Sequence, residues 1–427
     1  MSYYLVKAAA SALALATALT GSALAQQTEI TFLGCGCWGG DVNAVVADFM
    51  AANPDIKVNV ELPPTDELFQ QIQIRLGAGN AGPDVVAVDG PLTTSYAARG
   101  WLADLGAVFS DEEKADWLPS SLEAARFQDT LVTAPLSTST QVLYYNKAIF
   151  HEAGVTPPGP DERWTWEQVA EVAPKLTLDR NNDGAPDVWG FIWEQVNRIY
   201  QLQVLPASLG AHAIGEDGLT TTGVIDSEAW IEAFTYFHGI FNELKVAPQG
   251  AIFWPPDLFE QGQIAMFVGG PWDIPRFADT DLDFEWGVSR HPYFAEGEVA
   301  TPTGGWHIGV NAKSANKEAA ERFVHWIAAA EGAEAWWHEG PGDFPARQSL
   351  LAQIDTNPDY QEGPLSYLKI AADEATQNPT PRPLTVGYLE YEQILADTFQ
   401  DIRNGADPAE ALSNAALRID SEMGKYR

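Results

Sequence analysis

The chain has 427 residues, 46% of them apolar, and a formal net charge of −35 at pH 7. This length is sufficient for two domains that each bury a hydrophobic core. The large negative charge argues against a nucleic-acid partner and against an anionic membrane surface, because both repel a chain of the same sign.

The first 25 residues have the pattern of a secretory signal peptide. Lys7 supplies the positive charge, the Ala- and Leu-rich run at 8–19 is too short to span a bilayer, and Ala23-Leu24-Ala25 fits the cleavage site. We therefore predict a signal peptide at 1–25 and an exported, periplasmic mature chain with no direct membrane insertion.

Strands and helices then alternate along the chain. Strands predicted at 29–33, 56–62 and 84–88 are separated by helices predicted at 41–53 and 66–78. This order predicts an α/β fold with a mostly parallel sheet and helices on both faces.

Trp38 and Asp89 each follow a predicted strand, at the end where open α/β sheets bind ligands. Asp89 could equally be an N-cap for the next helix. Cys35 and Cys37 leave three alternatives open: a strained disulfide, two small buried thiols, which fit the spacing at least as well, or metal binding.

A polar run, Ser137-Thr138-Ser139-Thr140-Gln141, lies before a strand predicted at 142–146. We interpret the run as a crossing between domains, and the hydroxyls of Thr138 and Ser139 as candidate hydrogen-bond partners of a polyol.

The segment at 179–187, DRNNDGAPD, matches several positions of a calcium-binding loop. Its candidate ligands are Asp179, Asn181, Asp183 and Asp187. Because Gly190 replaces the bidentate acid that such a loop requires, the alternative is a tight turn without a metal.

The run at 263–268 is almost continuously apolar, which indicates a strand covered on both faces. Gly269-Gly270-Pro271 ends the strand and places Trp272 just beyond its carboxyl end. An indole at this position predicts a stacking platform for a small molecule, and the alternative is a tryptophan that closes a core.

Three segments resemble, in the same order, the family 1 extracellular solute-binding proteins of ABC importers. They are PLSTSTQVLYYNKAIFHEAGVTPP followed by TWEQV, FEQGQIAMFVGGPW, and GGWHIGVNAKSANKEAAERFVHWI. The resemblance implies a two-lobed periplasmic binding protein fold of type II, with the ligand cleft between lobes that hinge crossings join. It implies a first lobe at 26–136 plus 290–338 and a second at 137–289 plus 339–427.

The same resemblance adds candidate site residues to those chosen by position. It points to Glu194 and Gln195 after a short strand, and to Tyr388 before a long helix. Gly304, Gly305 and Trp306 form a Gly-rich approach to the cleft. Arg347 either binds an anionic group or pairs with nearby acids. The complete predicted substrate-binding set is Trp38, Asp89, Thr138, Ser139, Glu194, Gln195, Trp272, Gly304, Gly305, Trp306, Arg347 and Tyr388.

The chemistry of this set suits a sugar, since indoles stack on its C–H faces and polar groups bind its hydroxyls. We expect a monomeric carbohydrate-binding component that closes over its ligand and docks on an ABC permease, with no cofactor unless calcium is bound. The sequence contains no G-x-S-x-G, H-E-x-x-H or P-loop motif, so we expect no enzyme. The alternatives are a secreted glycoside hydrolase and a binding protein for a non-sugar solute. Arg347 and His307 keep an anionic glycoside open as the ligand.

Overall fold

The computed structural model describes residues 27–38, 40–249, 254–340 and 343–427. The predicted signal peptide lies outside these ranges. Within them, no helix combines the length and the apolar character needed to span a bilayer.

Helices and strands alternate through most of the described chain. The strands are β1 (Thr28–Leu33), β2 (Ile56–Glu61), β3 (Val85–Asp89), β4 (Arg126–Phe127), β5 (Thr130–Leu131), β6 (Ala134–Pro135), β7 (Ser137–Thr138), β8 (Val142–Asn146), β9 (Ile192–Trp193), β10 (Met266–Gly269), β11 (Trp286–Ser289), β12 (Thr301–Thr303), β13 (Trp306–Val310), β14 (Phe344–Pro345) and β15 (Pro379–Pro381). The helices are α1 (Val42–Ala52), α2 (Thr65–Gly77), α3 (Leu92–Ala98), α4 (Asp111–Asp116), α5 (Pro119–Ala124), α6 (Lys147–Glu152), α7 (Trp166–Leu176), α8 (Ile199–Leu202), α9 (Val204–Ser208), α10 (Glu228–Asn242), α11 (Pro255–Glu260), α12 (Asp273–Asp279), α13 (Lys317–Ala329), α14 (Glu331–His338), α15 (Gln348–Leu351), α16 (Gln353–Thr356), α17 (Leu368–Gln377), α18 (Tyr388–Arg403) and α19 (Pro408–Met423). Short 3-10 turns occupy Pro358–Tyr360, Pro364–Tyr367 and Gly424–Tyr426.

The first sheet has the strand order β2-β1-β3-β13-β6. β1 runs parallel to β2 and β3, which confirms the predicted alternation of strands and helices at the start of the mature chain. β13 is antiparallel to both of its neighbours, β3 and β6. The sheet is therefore mixed, because β13 runs in the opposite direction to the strands beside it.

The helix α1 shows why these residues fold as predicted. Asp41 caps it by accepting a hydrogen bond from the backbone N–H of Ala44. Val45, Val46 and Phe49 recur at helical spacing and are buried against the sheet. The boundaries agree with the predicted helix to within one residue.

The second sheet has the strand order β11-β8-β10-β9. All four residues of β10 are buried, which confirms a strand covered on both faces. The strand begins later than predicted, at Met266, because Ile264 makes only an isolated bridge to Trp189. β8 is antiparallel to β10, and the rings of Tyr144 and Phe267 stack across the pair with centroids 4.6 Å apart.

The chain passes from the first sheet to the second between β6 and β8, and it returns between β11 and β13. It leaves the first sheet again after α14, and β14 then pairs with β7. An isolated bridge joins Ser139 to Gly304 where the first two passages meet. The predicted polar crossing at 137–141 therefore lies between the sheets beside the two other connecting segments, and its side chains are buried there.

A buried carboxylate holds the return passage in place. Glu374 on α17 is fully buried and accepts two hydrogen bonds from Arg163, at 2.6 and 2.8 Å. It also accepts hydrogen bonds from Arg290 at 3.1 Å and from the hydroxyl of Thr301 at 3.0 Å. These bidentate and charge-assisted bonds compensate the carboxylate for the loss of water.

Replacing Glu374 with Ala should lower the free energy of unfolding by about 3–5 kcal/mol, because two arginines lose a buried partner. Chemical denaturation with circular dichroism measures this difference. The matched control is Glu171→Ala, which removes an exposed partner of Lys175 and should change stability far less. Equal effects of the two substitutions would contradict the assigned role of Glu374.

Candidate functional site

The carboxyl ends of the first-sheet strands carry an aromatic cluster. Trp38 and Trp306 meet edge to face with centroids 5.5 Å apart, and the buried Trp336 supports Trp38 at 4.9 Å. Phe69 on α2 stacks beside Trp306 at 6.3 Å. Trp38, Phe69 and Trp306 are half-buried, so the cluster keeps a partly accessible apolar surface. Phe69 was absent from the predicted set, since one aromatic residue on an amphipathic helix usually indicates packing.

The adjacent loop contains the two cysteines. Cys35 and Cys37 are joined by a disulfide with their Cα atoms 5.1 Å apart. Cys35 is buried and Cys37 is exposed. Of the three alternatives left by the spacing, the structure therefore has the disulfide, and the pair of buried thiols is wrong.

Asp89 ends β3 in a buried ion pair with Arg382. Arg382 donates hydrogen bonds to both carboxylate oxygens of Asp89, one of them at 2.7 Å. Burial by itself raises the pKa of Asp89, but the guanidinium of Arg382 outweighs it and holds that pKa below its ordinary value. The N-cap alternative for Asp89 is wrong, because Pro91 precedes α3 and no side chain caps that helix.

The ion pair belongs to a larger network of charges. Arg198 lies 3.5 Å from Asp89 and 3.0 Å from Glu392, while Arg382 lies 4.0 Å from Glu392. The positive charges of two guanidinium groups thus offset the negative charges of two carboxylates. Tyr388 is fully buried beneath Arg382, and its hydroxyl accepts a hydrogen bond from that residue at 3.3 Å. Tyr388 therefore supports the network and has no exposed face in this structure.

Residues of the segments that connect the two sheets lie beside Arg382. Tyr200 donates a hydrogen bond to the Ser139 hydroxyl at 2.8 Å, and its ring lies 5.1 Å from the guanidinium of Arg382. A side chain at Gly304 would lie within about 3.3 Å of Tyr200, Arg382 and Ser139. A Cβ on Gly305 would lie 2.0 Å from the carbonyl oxygen of Ser137, so only glycine fits this position. The Thr138 hydroxyl contacts the carbonyl of Gly304 at 3.4 Å.

Trp272 lies just beyond the carboxyl end of β10, in the second sheet. Its indole is half-buried, and Nε1–H donates a hydrogen bond to Glu194 at 3.0 Å. Glu194 is buried, and its two carboxylate oxygens accept hydrogen bonds from Trp272 and from the backbone N–H of Gly270. The neighbouring Gln195 is half-buried, and its backbone N–H donates to Gln201 at 2.7 Å.

Arg347 and His307 are both engaged elsewhere. Arg347 donates hydrogen bonds to Asp116 at 2.8 Å and to the carbonyl of Ala329 at 2.7 Å. Its partners lie outside the predicted site, which favours the structural alternative. His307 shares a hydrogen bond with Thr133 at 2.9 Å, and burial lowers the pKa of its imidazole to about 4. The imidazole is therefore neutral at pH 7.

The loop at 179–187 is organised by its own side chains. Asp179 accepts hydrogen bonds from the backbone N–H groups of Asp183 and Gly184. Asp187 accepts them from the backbone and side chain of Asn181. In the part of the chain that the structure describes, no group of three or more His, Cys, Asp or Glu side chains could hold a metal ion. The calcium assignment stays a prediction.

A cleft of about 1020 Å³ opens between α2 on one side and α18 and α19 on the other. The described residues that line it include Phe69, Gln70, Asn197, Arg198 and Glu392, and the predicted substrate-binding residues are not among them. This volume lies at the upper end of the range of small-molecule sites in proteins. A second cavity, of about 310 Å³, adjoins Gly90, Gly304 and Arg382.

The sequence matches one family model over residues 39–334, that of the bacterial extracellular solute-binding proteins. Among curated relatives, the maltotriose-binding protein of Pyrococcus abyssi is 25% identical and covers 76% of this chain and 66% of its own. The sn-glycerol-3-phosphate-binding periplasmic protein of Escherichia coli K12 is 26% identical, covering 98% of this chain and 97% of its own.

Solved structures agree with the family match. An ABC substrate-binding protein from Listeria monocytogenes in complex with cycloalternan superimposes with a TM-score of 0.81 and 28% identity, covering 93% of this chain and 99% of its own. The GacH receptor of Streptomyces glaucescens, solved unliganded and with acarbose, has a TM-score of 0.76 at 21% identity, covering 94% and 100%. The predicted two-lobed type II fold is thereby confirmed.

Replacing Asp89 with Ala should cost about 3–5 kcal/mol of unfolding free energy, because Arg382 stays buried without its bidentate partner. The double variant Asp89→Ala/Arg382→Met should cost less than Asp89→Ala alone, since it removes both charges. Denaturant titration of the single and double variants measures the coupling. Strictly additive effects would show that the two residues do not stabilise each other.

Proposed function

The chain belongs to the bacterial extracellular solute-binding protein family, and on that premise we propose that it is the carbohydrate-binding component of an ABC importer. The observation that carries the proposal is the likeness, over nearly the whole described chain, to an ABC substrate-binding protein that holds cycloalternan. Other relatives are named for maltotriose and galactooligosaccharide, both of them carbohydrates.

The accessible aromatic and amide side chains near the predicted site suit a sugar. Trp38, Phe69 and Trp306 on one lobe and Trp272 on the other would stack on the apolar C–H faces of the ligand. Gln195 and Asn197 would provide hydrogen bonds to its hydroxyls. Water excluded from these aromatic faces would contribute most of the binding free energy.

A neutral ligand fits the charges better than an anionic one. The arginines that line the cleft, Arg99, Arg198 and Arg418, each lie within 4.0 Å of a carboxylate. A bound anion would have to compete with these carboxylates for the same donors. We therefore propose a neutral oligosaccharide as the ligand.

Binding would close the two lobes, which we place at 26–136 plus 290–338 and at 137–289 plus 339–427. The ligand favours the closed form only by making better contacts there than in the open form. The closed form would dock on the transmembrane permease, with one exported, periplasmic monomer carrying one ligand.

Binding without catalysis is the activity expected of this family. A glycoside hydrolase needs two carboxyl groups that flank the scissile bond. The acids of the predicted site are Asp89 and Glu194; Arg382 binds the first, and Trp272 and Gly270 bind the second. Both carboxyl groups are therefore engaged in bonds within the protein.

A thermal-shift screen of the chain from Gln26 against neutral and anionic sugars tests the proposal. A ligand at one hundred times its dissociation constant should add about 2.7 kcal/mol of stability. We expect a neutral oligosaccharide to raise the melting temperature and to be recovered chemically intact. A response confined to glycerol phosphates or simple polyols would overturn the carbohydrate assignment, and hydrolysis would identify an enzyme.

Trp272→Ala should weaken binding of the sugar found in that screen by more than about 1 kcal/mol, or at least fivefold, through loss of an aromatic face. Isothermal titration calorimetry measures the change. Trp254→Ala is the matched control, because Trp254 is 42% exposed, precedes α11 and is not one of the proposed sugar contacts. Unchanged affinity in Trp272→Ala would remove Trp272 from the site.

A further inference from the structure

The orientation of the Trp272 indole depends on one long-range contact. Trp272 follows the Gly269-Gly270-Pro271 turn and immediately precedes α12. Its ring is only half-buried, so packing alone does not enclose it. The hydrogen bond that its Nε1–H makes goes to Glu194, which lies 78 residues earlier in the chain.

Glu194 also holds the turn that carries the tryptophan. Oε1 accepts the indole N–H at 3.0 Å, and Oε2 accepts the backbone N–H of Gly270 at 2.9 Å. The carbonyl of Gly270 in turn accepts a hydrogen bond from the Tyr144 hydroxyl. A Cβ at Gly269 would lie 3.0 Å from Oε2, so the backbone approaches the carboxylate closely. Both oxygens of Glu194 are thus occupied in fixing the turn and the ring.

We propose that Glu194 is a positioning residue for Trp272, and that its negative charge is required to hold the indole in the orientation that binds ligand. The part of the inference that concerns ligand rests on the proposed function, whereas the part that concerns the indole does not. A charged carboxylate makes two strong acceptors for the two N–H groups. A protonated one becomes a donor at one oxygen and cannot satisfy both groups equally.

The surroundings make this charge sensitive to pH. Asp273 on α12 is buried near Glu194, and its Oδ2 has no hydrogen-bond partner among the described residues. Arg276 lies 3.9 Å from Asp273 but is paired more closely with Glu260 and Asp257. The remaining groups that face the carboxylate, the Tyr144 and Tyr200 hydroxyls and the Gln195 side chain, carry no charge near pH 7.

Burial raises the pKa of Glu194 to about 7, against the opposing hydrogen bonds from Gly270 and Trp272. Burial and the nearby Glu194 raise the pKa of Asp273 well above its ordinary range. Glu194 therefore loses its proton as the pH rises through about 7. Above this pH the carboxylate of Glu194 accepts both hydrogen bonds and holds Trp272, and below this pH the protonated group no longer does so.

A ligand-free titration tests the positioning role directly. The indole N–H resonance of Trp272, assigned by its loss in Trp272→Phe, is followed by ¹H–¹⁵N NMR from pH 5.5 to 8.5. We expect a shift with a midpoint near pH 7 that is absent in Glu194→Gln. Asp343→Asn is the matched control, because burial also raises the pKa of Asp343 to about 7, yet its hydrogen bond goes to Ser137. The Trp272 titration should persist in this control.

A second variant keeps the test decisive if Glu194→Gln does not fold. Asp273→Asn removes the neighbouring acid and should move the Trp272 midpoint to lower pH. An indole that does not titrate in the parent protein, or a midpoint that neither variant changes, would overturn the inference whatever the ligand proves to be.

Ligand affinity is the second measurement. If only the ionised form of Glu194 positions Trp272, affinity for the sugar found in the thermal screen should be about tenfold weaker at pH 6 than at pH 8, because about one molecule in eleven is ionised at pH 6. Glu194→Gln should remove this dependence. Equal parent affinities at the two pH values, together with a titrating indole, would show that the orientation of Trp272 does not control binding.

Discussion

The buried pair of Asp89 and Arg382 is the interaction on which the junction between the lobes depends. It joins the end of β3 in the first sheet to the segment that follows β15. A single buried charge here would be strongly destabilising, so each residue requires the other. The neighbouring Arg198 and Glu392 extend the balance, and the whole group carries no net charge. Trp306 of the aromatic cluster is the strand partner of Asp89, so that cluster adjoins this neutral, hydrogen-bonded centre.

The two lobes hold their aromatic groups in different ways. On the first lobe Trp38 is fixed by edge-to-face contacts with Trp306 and Trp336, which require no particular protonation state. On the second lobe Trp272 relies on a hydrogen bond to an acid. The ring contacts that hold Trp38 involve no group that gains or loses a proton, whereas the hydrogen bond that holds Trp272 does. A ligand that contacts both would meet one aromatic face whose orientation does not depend on pH and one whose orientation does.

Local patterns were enough to predict much of the fold and part of the site. The apolar spacing of α1 and the unbroken apolar run that contains most of β10 each specify an element without help from distant residues. The Gly-Gly-Pro turn placed Trp272 correctly at the end of its strand. Arg382 and Phe69 were missed, because nothing adjacent to them reveals that they face Asp89 and Trp306. Glu194 was chosen, but its bond to an indole 78 residues away is a property of the folded sheet.

The position of β13 in the first sheet has a consequence for how the molecule is made. Residues 306–310 insert between β3 and β6, two strands that are synthesised long before them. Until they arrive, β3 has an unpaired edge with buried, apolar side chains, which is a template for association with another chain. The early part of the protein must therefore be kept from aggregating while the whole second sheet is still being delivered. Truncation before β13 would leave a fragment that cannot close its own sheet, so neither end of the chain can mature independently of the other.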